Sequence, residues 1–195
     1  MTTPEDHPQP DRQRDLPIIS LNGPWKFRFD DEDVGLREHW YSPSSNSFTD
    51  AKGIVVPLAY QTPASGIHEL ARHEIMWYQT VLAGFSETLA GVETRDAILH
   101  FEAVDYECDV WINGQHVKHH VGGQSAFEVD LGHTLRSQEL QSQQNTIVVR
   151  VRDSADLDQP RGKQYWRPSA GIMYTPSSGK QGRTTSHTIR ASFQD

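Results

Sequence analysis

Cysteine is nearly absent from this sequence, since Cys108 is the only one among 195 residues. A single cysteine cannot form an intramolecular disulfide, so the sequence gives no support for secretion. No apolar run approaches the ~18 residues that a membrane-spanning helix needs. The first residues, Met-Thr-Thr-Pro-Glu-Asp-His-Pro, also lack the basic and apolar regions of a secretory signal. We therefore expect a soluble, cytoplasmic protein with no membrane partner.

Positive charge is scarce as well. The chain has 18 Lys and Arg against 26 Asp and Glu, which gives a net charge of −8. Nucleic acids and anionic membranes are bound by clustered Lys and Arg, so we expect no nucleic-acid partner. With 35% hydrophobic and 23% charged residues, the chain can still bury a core beneath a polar surface.

Short strand-like segments follow one another along most of the chain. Trp25, Phe27 and Phe29 alternate with basic residues, as in a half-buried strand. The pair Asn113-Gly114 lies between the segments 110–112 and 115–117 and predicts a type I′ hairpin turn. The other predicted strands cover 54–57, 75–83, 97–103, 106–112, 125–131 and 146–152. Many short strands with almost no helical pattern predict an all-β fold, a β-sandwich of the jelly-roll or a related Greek-key type.

An ordered set of motifs runs along the chain: Leu21–Phe27, Trp77-Tyr78, Phe101–Tyr106, Val110–Gly114 and Pro160–Trp166. Together they resemble the N-terminal sugar-binding domain of glycoside hydrolase family 2, which comprises β-galactosidases, β-glucuronidases, β-mannosidases and relatives. The resemblance implies a galactose-binding-domain-like jelly roll. In the family this domain is followed by an immunoglobulin-like sandwich and by a TIM barrel that carries two catalytic glutamates.

The pattern divides the chain into three regions. Residues 1–15 hold three prolines among charged and amide residues, and we expect a disordered lead-in. Residues 16–179 are the predicted jelly-roll domain. After Gly179 the apolar, aromatic strand that the resemblance implies is missing. Residues 180–195 are therefore interpreted as a divergent tail, disordered or produced by a frameshift, a premature stop or a gene fragmentation.

The best candidates for sugar contacts lie near the end of the predicted domain. In several family members an aspartate of this domain contacts the sugar, and the spacing to Ala170-Gly171 implies that Gln164 occupies that position. Arg161 and Lys163 can donate hydrogen bonds to hydroxyls or to a substrate carboxylate, and Trp166 can stack on a sugar ring. The alternatives are a loop glutamine bonded to the backbone, a solvated or interdomain basic loop, and core packing of the tryptophan.

Other groups of reactive side chains are interpreted as structural. Asp105, Glu107 and Asp109 are expected on the solvated face of one strand, opposite Cys108, which is interpreted as a buried, inert thiol. The nearby histidines lack a fourth ligand, so no metal is expected; they are His116, His119 and His120. We expect no catalytic residue, because the TIM barrel that carries the glutamates in the family needs ~250 residues. We also expect no cofactor.

The sequence therefore predicts the sugar-binding domain of a family 2 glycosidase that is inactive by itself. Its partner would be carbohydrate, a β-glycoside, bound weakly or only when a barrel domain completes the site. Two alternatives stay open at this stage. The chain could be a freestanding carbohydrate-binding module, or a structural fragment without affinity for sugar.

Overall fold

The computed structural model describes residues 18–82, 97–131, 145–154, 171–172 and 190–193. Within these ranges the backbone is almost entirely extended strands and turns, and the sole helical element is a 3₁₀ turn, Pro63–Ser65. The strands are β1 Ile18–Ser20, β2 Gly23–Phe29, β3 Lys52–Val56, β4 Ile75–Leu82, β5 Ala97–Phe101, β6 Val104–Asp105, β7 Glu107–Ile112, β8 Gln115–Val121, β9 Phe127–Asp130, β10 Asn145–Arg152, β11 Gly171–Ile172 and β12 Arg190–Phe193.

Two antiparallel sheets pack face to face. Within the described ranges, one sheet has six strands in the order β3-β2-β4-β10-β7-β8, and the other has four in the order β1-β12-β5-β9. Alternate side chains of both sheets point inward and form one core, whose fully buried members include Phe27, Tyr78, Leu99, Phe101 and Val149. Because side chains alternate across a strand, this core leaves the other face of each strand pointing away from the partner sheet. The architecture is the all-β sandwich that the strand pattern predicts.

The Asn113-Gly114 hairpin prediction is confirmed. Asn113 and Gly114 have φ values of 50° and 83°, as a type I′ turn requires, and they join β7 to β8. The Asn113 side chain adds a link to the next strand. Its Oδ1 accepts from the Thr146 N–H at 2.8 Å, and its Nδ2 donates to Asn145 Oδ1 at 2.8 Å. The turn is thereby tied to the start of β10.

A second, smaller core lies on the outer face of the six-stranded sheet. Trp77, Trp111 and Val148 point away from the partner sheet, yet they are at most 5% exposed. The segment between β2 and β3 covers them with Trp40 and Phe48. Trp77 and Trp111 stack with ring centroids 5.4 Å apart. The sheet is therefore covered on both faces in this region, which strand alternation does not predict.

Asp30 anchors this covering segment directly after β2. Its carboxylate is 3% exposed and accepts three hydrogen bonds: from Val34 N–H at 2.8 Å, from Gly35 N–H at 2.9 Å and from Trp77 Nε1 at 2.9 Å. Gly35 lies against the indole, and a Cβ at this position would be 2.7 Å from ring atoms of Trp77. The carboxylate thus joins the start of the segment to the sheet beneath it.

Arg150 extends the polar part of the outer face. Its position on β10 points outward, as the alternation of that strand predicts, but the side chain is buried beneath the same covering segment. Its guanidinium pairs with Asp33 of that segment at 2.9 Å. A buried arginine is expensive to keep without a partner, so this pair helps to hold the segment in place.

The end of the chain contributes a strand that the sequence analysis does not expect. Residues Arg190–Phe193 form β12, which pairs with β1 on one side and with β5 on the other. Both neighbouring strands offer backbone partners to these four residues. Residues 173–189 lie outside the described residues, so the origin of the tail stays a prediction.

Cys108 is buried in the core between the sheets, 1% exposed, as predicted. Burial, followed by the neighbouring carboxylates of Asp109 and Glu107, raises the pKa of its thiol far above the ordinary value. We expect the folded protein to react with a disulfide reagent at pH 8 roughly a hundredfold more slowly than the urea-unfolded chain. Stopped-flow absorbance measures both rates, and equal rates would contradict the buried position.

None of the helical structure in the described ranges has the length and apolar character required to cross a membrane.

Candidate carbohydrate-binding end of the sandwich

The four predicted sugar contacts, Arg161, Lys163, Gln164 and Trp166, lie outside the described residues. Their roles therefore stay predictions. The structure does describe the two points between which this segment runs. One is Asp153-Ser154, directly after β10, and the other is Gly171-Ile172, which forms β11. The candidate site is therefore described through the residues that contact 153–154 and 171–172.

The main chain of Asp153 is held by two hydrogen bonds to a loop that precedes β4. Its N–H donates to the Glu74 carbonyl at 2.8 Å. Its carbonyl accepts from Arg72 Nη2 at 3.1 Å. Asp153 is 3% exposed, whereas Arg72 is exposed. The point at which the chain leaves β10 is thus fixed by residues about eighty positions earlier in the sequence.

The second point is held by a two-stranded pairing. Gly171 is opposite Asp105, and Ile172 is opposite Val104, in an antiparallel ladder between β11 and β6. Ile172 is buried in the core. The residue after β6, Tyr106, donates its N–H to the Arg152 carbonyl at 3.4 Å. Both ends of the predicted sugar-contact segment therefore lie at the same end of the sandwich.

Asp105 lies tightly against the turn that follows β8. A Cβ on Gly123 would be 2.3 Å from Asp105 Oδ1, so glycine is required there for the carboxylate to take its place. Gly122 has a φ of 127° and donates its N–H to the Tyr106 carbonyl at 2.9 Å. The two glycines of this turn therefore allow its main chain to pack closely against β6 and the residue that follows it.

Tyr60 holds the loop before β4 through its hydroxyl group. The Tyr60 hydroxyl donates to the Ala71 carbonyl at 3.1 Å and accepts from the His73 N–H at 3.2 Å. Burial raises the pKa of this phenol above its ordinary value, so it stays a neutral donor and acceptor. The His73 ring stacks on Phe29 at 3.6 Å between centroids, and its Nδ1 lies 2.7 Å from Asp31 Oδ1.

The family resemblance indicates only some of the residues at this end of the sandwich. The resemblance pointed to the segment that contains residues 161–166, but it did not point to Arg72, Tyr60 or His73. They belong to the stretch of the chain between β3 and β4. For Arg72 and His73 no local signal exists, because their contacts to Asp153 and Asp31 join distant parts of the chain.

Asp109 of β7 and two histidines of β8 form a separate group on the outer face. Asp109 Oδ1 lies 2.9 Å from His116 Nε2 and 3.0 Å from His119 Nδ1. A bulge beside Val110 and Trp111 places both histidines on the same side of β8. Across the parts of the chain that the structure describes, no group of three His, Cys, Asp or Glu side chains is arranged to hold a metal ion.

Comparison with known proteins agrees with this architecture. Residues 18–174 match the family described as glycosyl hydrolases family 2, sugar binding domain. Among curated relatives, the β-glucuronidase of Sus scrofa is 27% identical over 146 residues, which is 73% of this chain and 22% of that protein. The β-glucuronidase of Felis catus is 26% identical over 152 residues, 76% of this chain and 22% of that protein.

Solved structures show the same fold. The β-glucuronidase of Lactobacillus rhamnosus superposes with a TM-score of 0.57 at 21% identity, over 77% of this chain and 23% of that one. The Ruminococcus gnavus β-glucuronidase in complex with D-glucuronic acid gives a TM-score of 0.55 at 22% identity, over 74% and 23%. The chain thus spans somewhat under a quarter of the length of these relatives. Because the family match covers most of its residues, the chain belongs to the sugar-binding domains of glycosyl hydrolase family 2.

Proposed function

We propose that this domain contributes one wall of a carbohydrate site in a family 2 glycosidase, and that its ligand is a β-glycoside, first of all a β-glucuronide. The observation that carries the proposal is the match to the sugar-binding family over residues 18–174. The named relatives, which are β-glucuronidases, support the choice of sugar. The anchoring of residues 153–154 and 171–172 at one end of the sandwich supports the place of the site.

The proposed contacts are those of the segment between these anchors. Arg161 and Lys163 would donate to sugar hydroxyls or pair with the carboxylate of a uronic acid. Gln164 would donate to and accept from hydroxyls, and Trp166 would stack on the apolar face of the ring. Since this wall alone surrounds little of a sugar, we expect a Kd on the order of 1–10 mM for the chain by itself.

Hydrolysis is assigned to other parts of such an enzyme. Retaining glycosidases need two carboxyl groups about 5–5.5 Å apart across the glycosidic bond. We propose that this chain supplies neither of them and that a barrel domain is the partner that completes the site. A location in the cytoplasm, and the absence of membrane and nucleic-acid partners, also remain proposals.

Sugar titration tests the proposal. We expect NMR titration with glucuronic acid to shift signals of the wild-type domain, and the double variant Arg161→Ala/Lys163→Ala to bind at least about tenfold more weakly, because each charge-assisted bond contributes ~1.5–3 kcal/mol. Lys26→Ala is the matched control, since this exposed lysine lies on the outer face of β2. Galactose and mannose titrations decide the sugar preference.

Two results would count against this function. A flat response to all three sugars would reject sugar binding and leave a structural domain as the better interpretation. Turnover of nitrophenyl glucuronide, galactoside or mannoside by the purified chain would show that it carries its own catalytic groups. Binding far tighter than the millimolar range would instead favour the freestanding carbohydrate-binding module, the second candidate function.

A further inference from the structure

The hairpin between β7 and β8 turns on Asn113-Gly114, a pair with a chemistry of its own. The main-chain nitrogen of the glycine can attack Cγ of the asparagine, because glycine has no Cβ to hinder the approach. A C–N bond forms, a five-membered succinimide ring closes, and the side-chain nitrogen leaves as ammonia. Water then opens the ring to aspartate or isoaspartate, so an amide and water are exchanged for a carboxylate and ammonium.

The backbone of the folded turn keeps the two reacting atoms apart. Asn113 has a φ of 50°, and the first central residue of a type I′ turn has a ψ of about +30°. With this ψ the Cβ of Asn113 lies roughly opposite the Gly114 nitrogen across the Cα–C bond. Ring closure needs both on the same side, so ψ must rotate by roughly 150° and the turn must open.

Three hydrogen bonds to the start of β10 oppose this rotation. The Asn113 N–H donates to the Thr146 carbonyl at 2.9 Å, and Oδ1 of Asn113 accepts from the Thr146 N–H at 2.8 Å. Its Nδ2, the nitrogen that would leave, donates to Oδ1 of Asn145 at 2.8 Å, and Asn145 is 8% exposed. Pro43 closes the other side, since a Cβ on Gly114 would be 2.8 Å from Pro43 Cδ.

We propose that Asn113 is a deamidation site that the folded hairpin keeps closed and that reacts when the turn separates from β10. Its rate in the folded protein is then the rate of the unfolded chain multiplied by the fraction of molecules with an open turn. The products do not restore the closed turn. Aspartate has no donor for Oδ1 of Asn145, and isoaspartate adds a main-chain carbon to a two-residue turn. Each reaction therefore marks one hairpin permanently.

Peptide mapping by mass spectrometry tests this on the whole chain in mildly alkaline buffer, folded and unfolded in guanidinium chloride. An isoaspartate methyltransferase identifies the product. Asn22-Gly23 is the internal reference, because it is a second Asn-Gly pair whose asparagine is outside the left-handed region. We expect Asn113 to deamidate at least about tenfold more slowly in the folded protein than in the unfolded chain.

Two results would overturn the proposal. Equal rates at Asn113 in the folded and the unfolded chain would show that the turn gives no protection. Retention of the Asn113 amide in the unfolded chain, while Asn22 reacts, would show that the pair is not a modification site.

Asn145→Ala tests the hydrogen bond to the leaving nitrogen. We expect the folded variant to deamidate at Asn113 several-fold faster than wild type, with an unchanged rate in the unfolded chain. Gln115→Ala is the matched control, because it removes an exposed amide directly after the turn. An unchanged rate in Asn145→Ala, shown by circular dichroism to be folded, would overturn the role of Asn145. If this variant does not fold, the wild-type comparison decides the proposal.

Asn113→Asp reproduces the aspartate product. We expect its melting temperature to be lower than that of wild type by about 2–4 °C, since one buried hydrogen bond to Asn145 is lost. Differential scanning calorimetry measures the shift. A variant that melts with the wild type would contradict the expected damage to the hairpin.

Discussion

Asp30→Ala is expected to lower the free energy of unfolding by about 3–5 kcal/mol, because it leaves two buried N–H donors and one half-buried N–H donor without an acceptor. Those donors are the backbone N–H groups of Val34 and Gly35 and the indole N–H of Trp77. The substitution also opens a cavity beside the tryptophan pair of the outer core. Asp30→Asn should cost less, since it retains one acceptor oxygen, although it places an NH₂ group against other donors.

Urea titration followed by tryptophan fluorescence measures this effect, because Trp77 itself reports on the outer core. Asp50→Ala is the matched control, since it removes an exposed carboxylate from the same covering segment and should change stability by less than ~0.5 kcal/mol. Equal stability of Asp30→Ala and wild type would contradict the anchoring of the segment through this carboxylate.

Removal of residues 190–195 is expected to lower the melting temperature by on the order of 10 °C, since a lost pairing strand costs several kcal/mol and each kcal/mol is ~2–4 °C in a domain of this size. The deletion takes away β12, which lies between β1 and β5. β1 then loses its described partner, and one edge of β5 is left open. Open edges promote association, so the shortened domain should also form oligomers.

Differential scanning calorimetry measures the melting temperature, and size-exclusion chromatography with light scattering measures the oligomeric state. Removal of residues 194–195 alone is the control, because these residues follow β12 and the strand stays intact. A shortened chain that melts like the wild type and stays monomeric would show that β12 contributes no stability to the four-stranded sheet.

The strands and the family were available from the sequence because their signals are local. Trp25 and Phe27 alternate with exposed residues along β2, and they are buried as that period requires. Asn113-Gly114 predicted its turn because few other pairs tolerate positive φ at both positions. The ordered motifs, with the spacing between them, indicated the sugar-binding domain. The segment proposed to contact sugar was indicated by the family resemblance, and its role stays a prediction.

Tertiary structure decided the features that depend on distant parts of the chain. Outward-facing Trp111 and Val148 are buried because the segment after β2 folds back over them, and strand alternation carries no information about such a cover. Residues 190–193 became a strand because β1 and β5 offer backbone partners on both sides, although their own pattern is weak. Arg72 meets Asp153 across 81 positions. A hydrophobic pattern reports only on residues that are close in sequence. These contacts join residues that are distant in sequence, so they exist only when the two sheets have packed together.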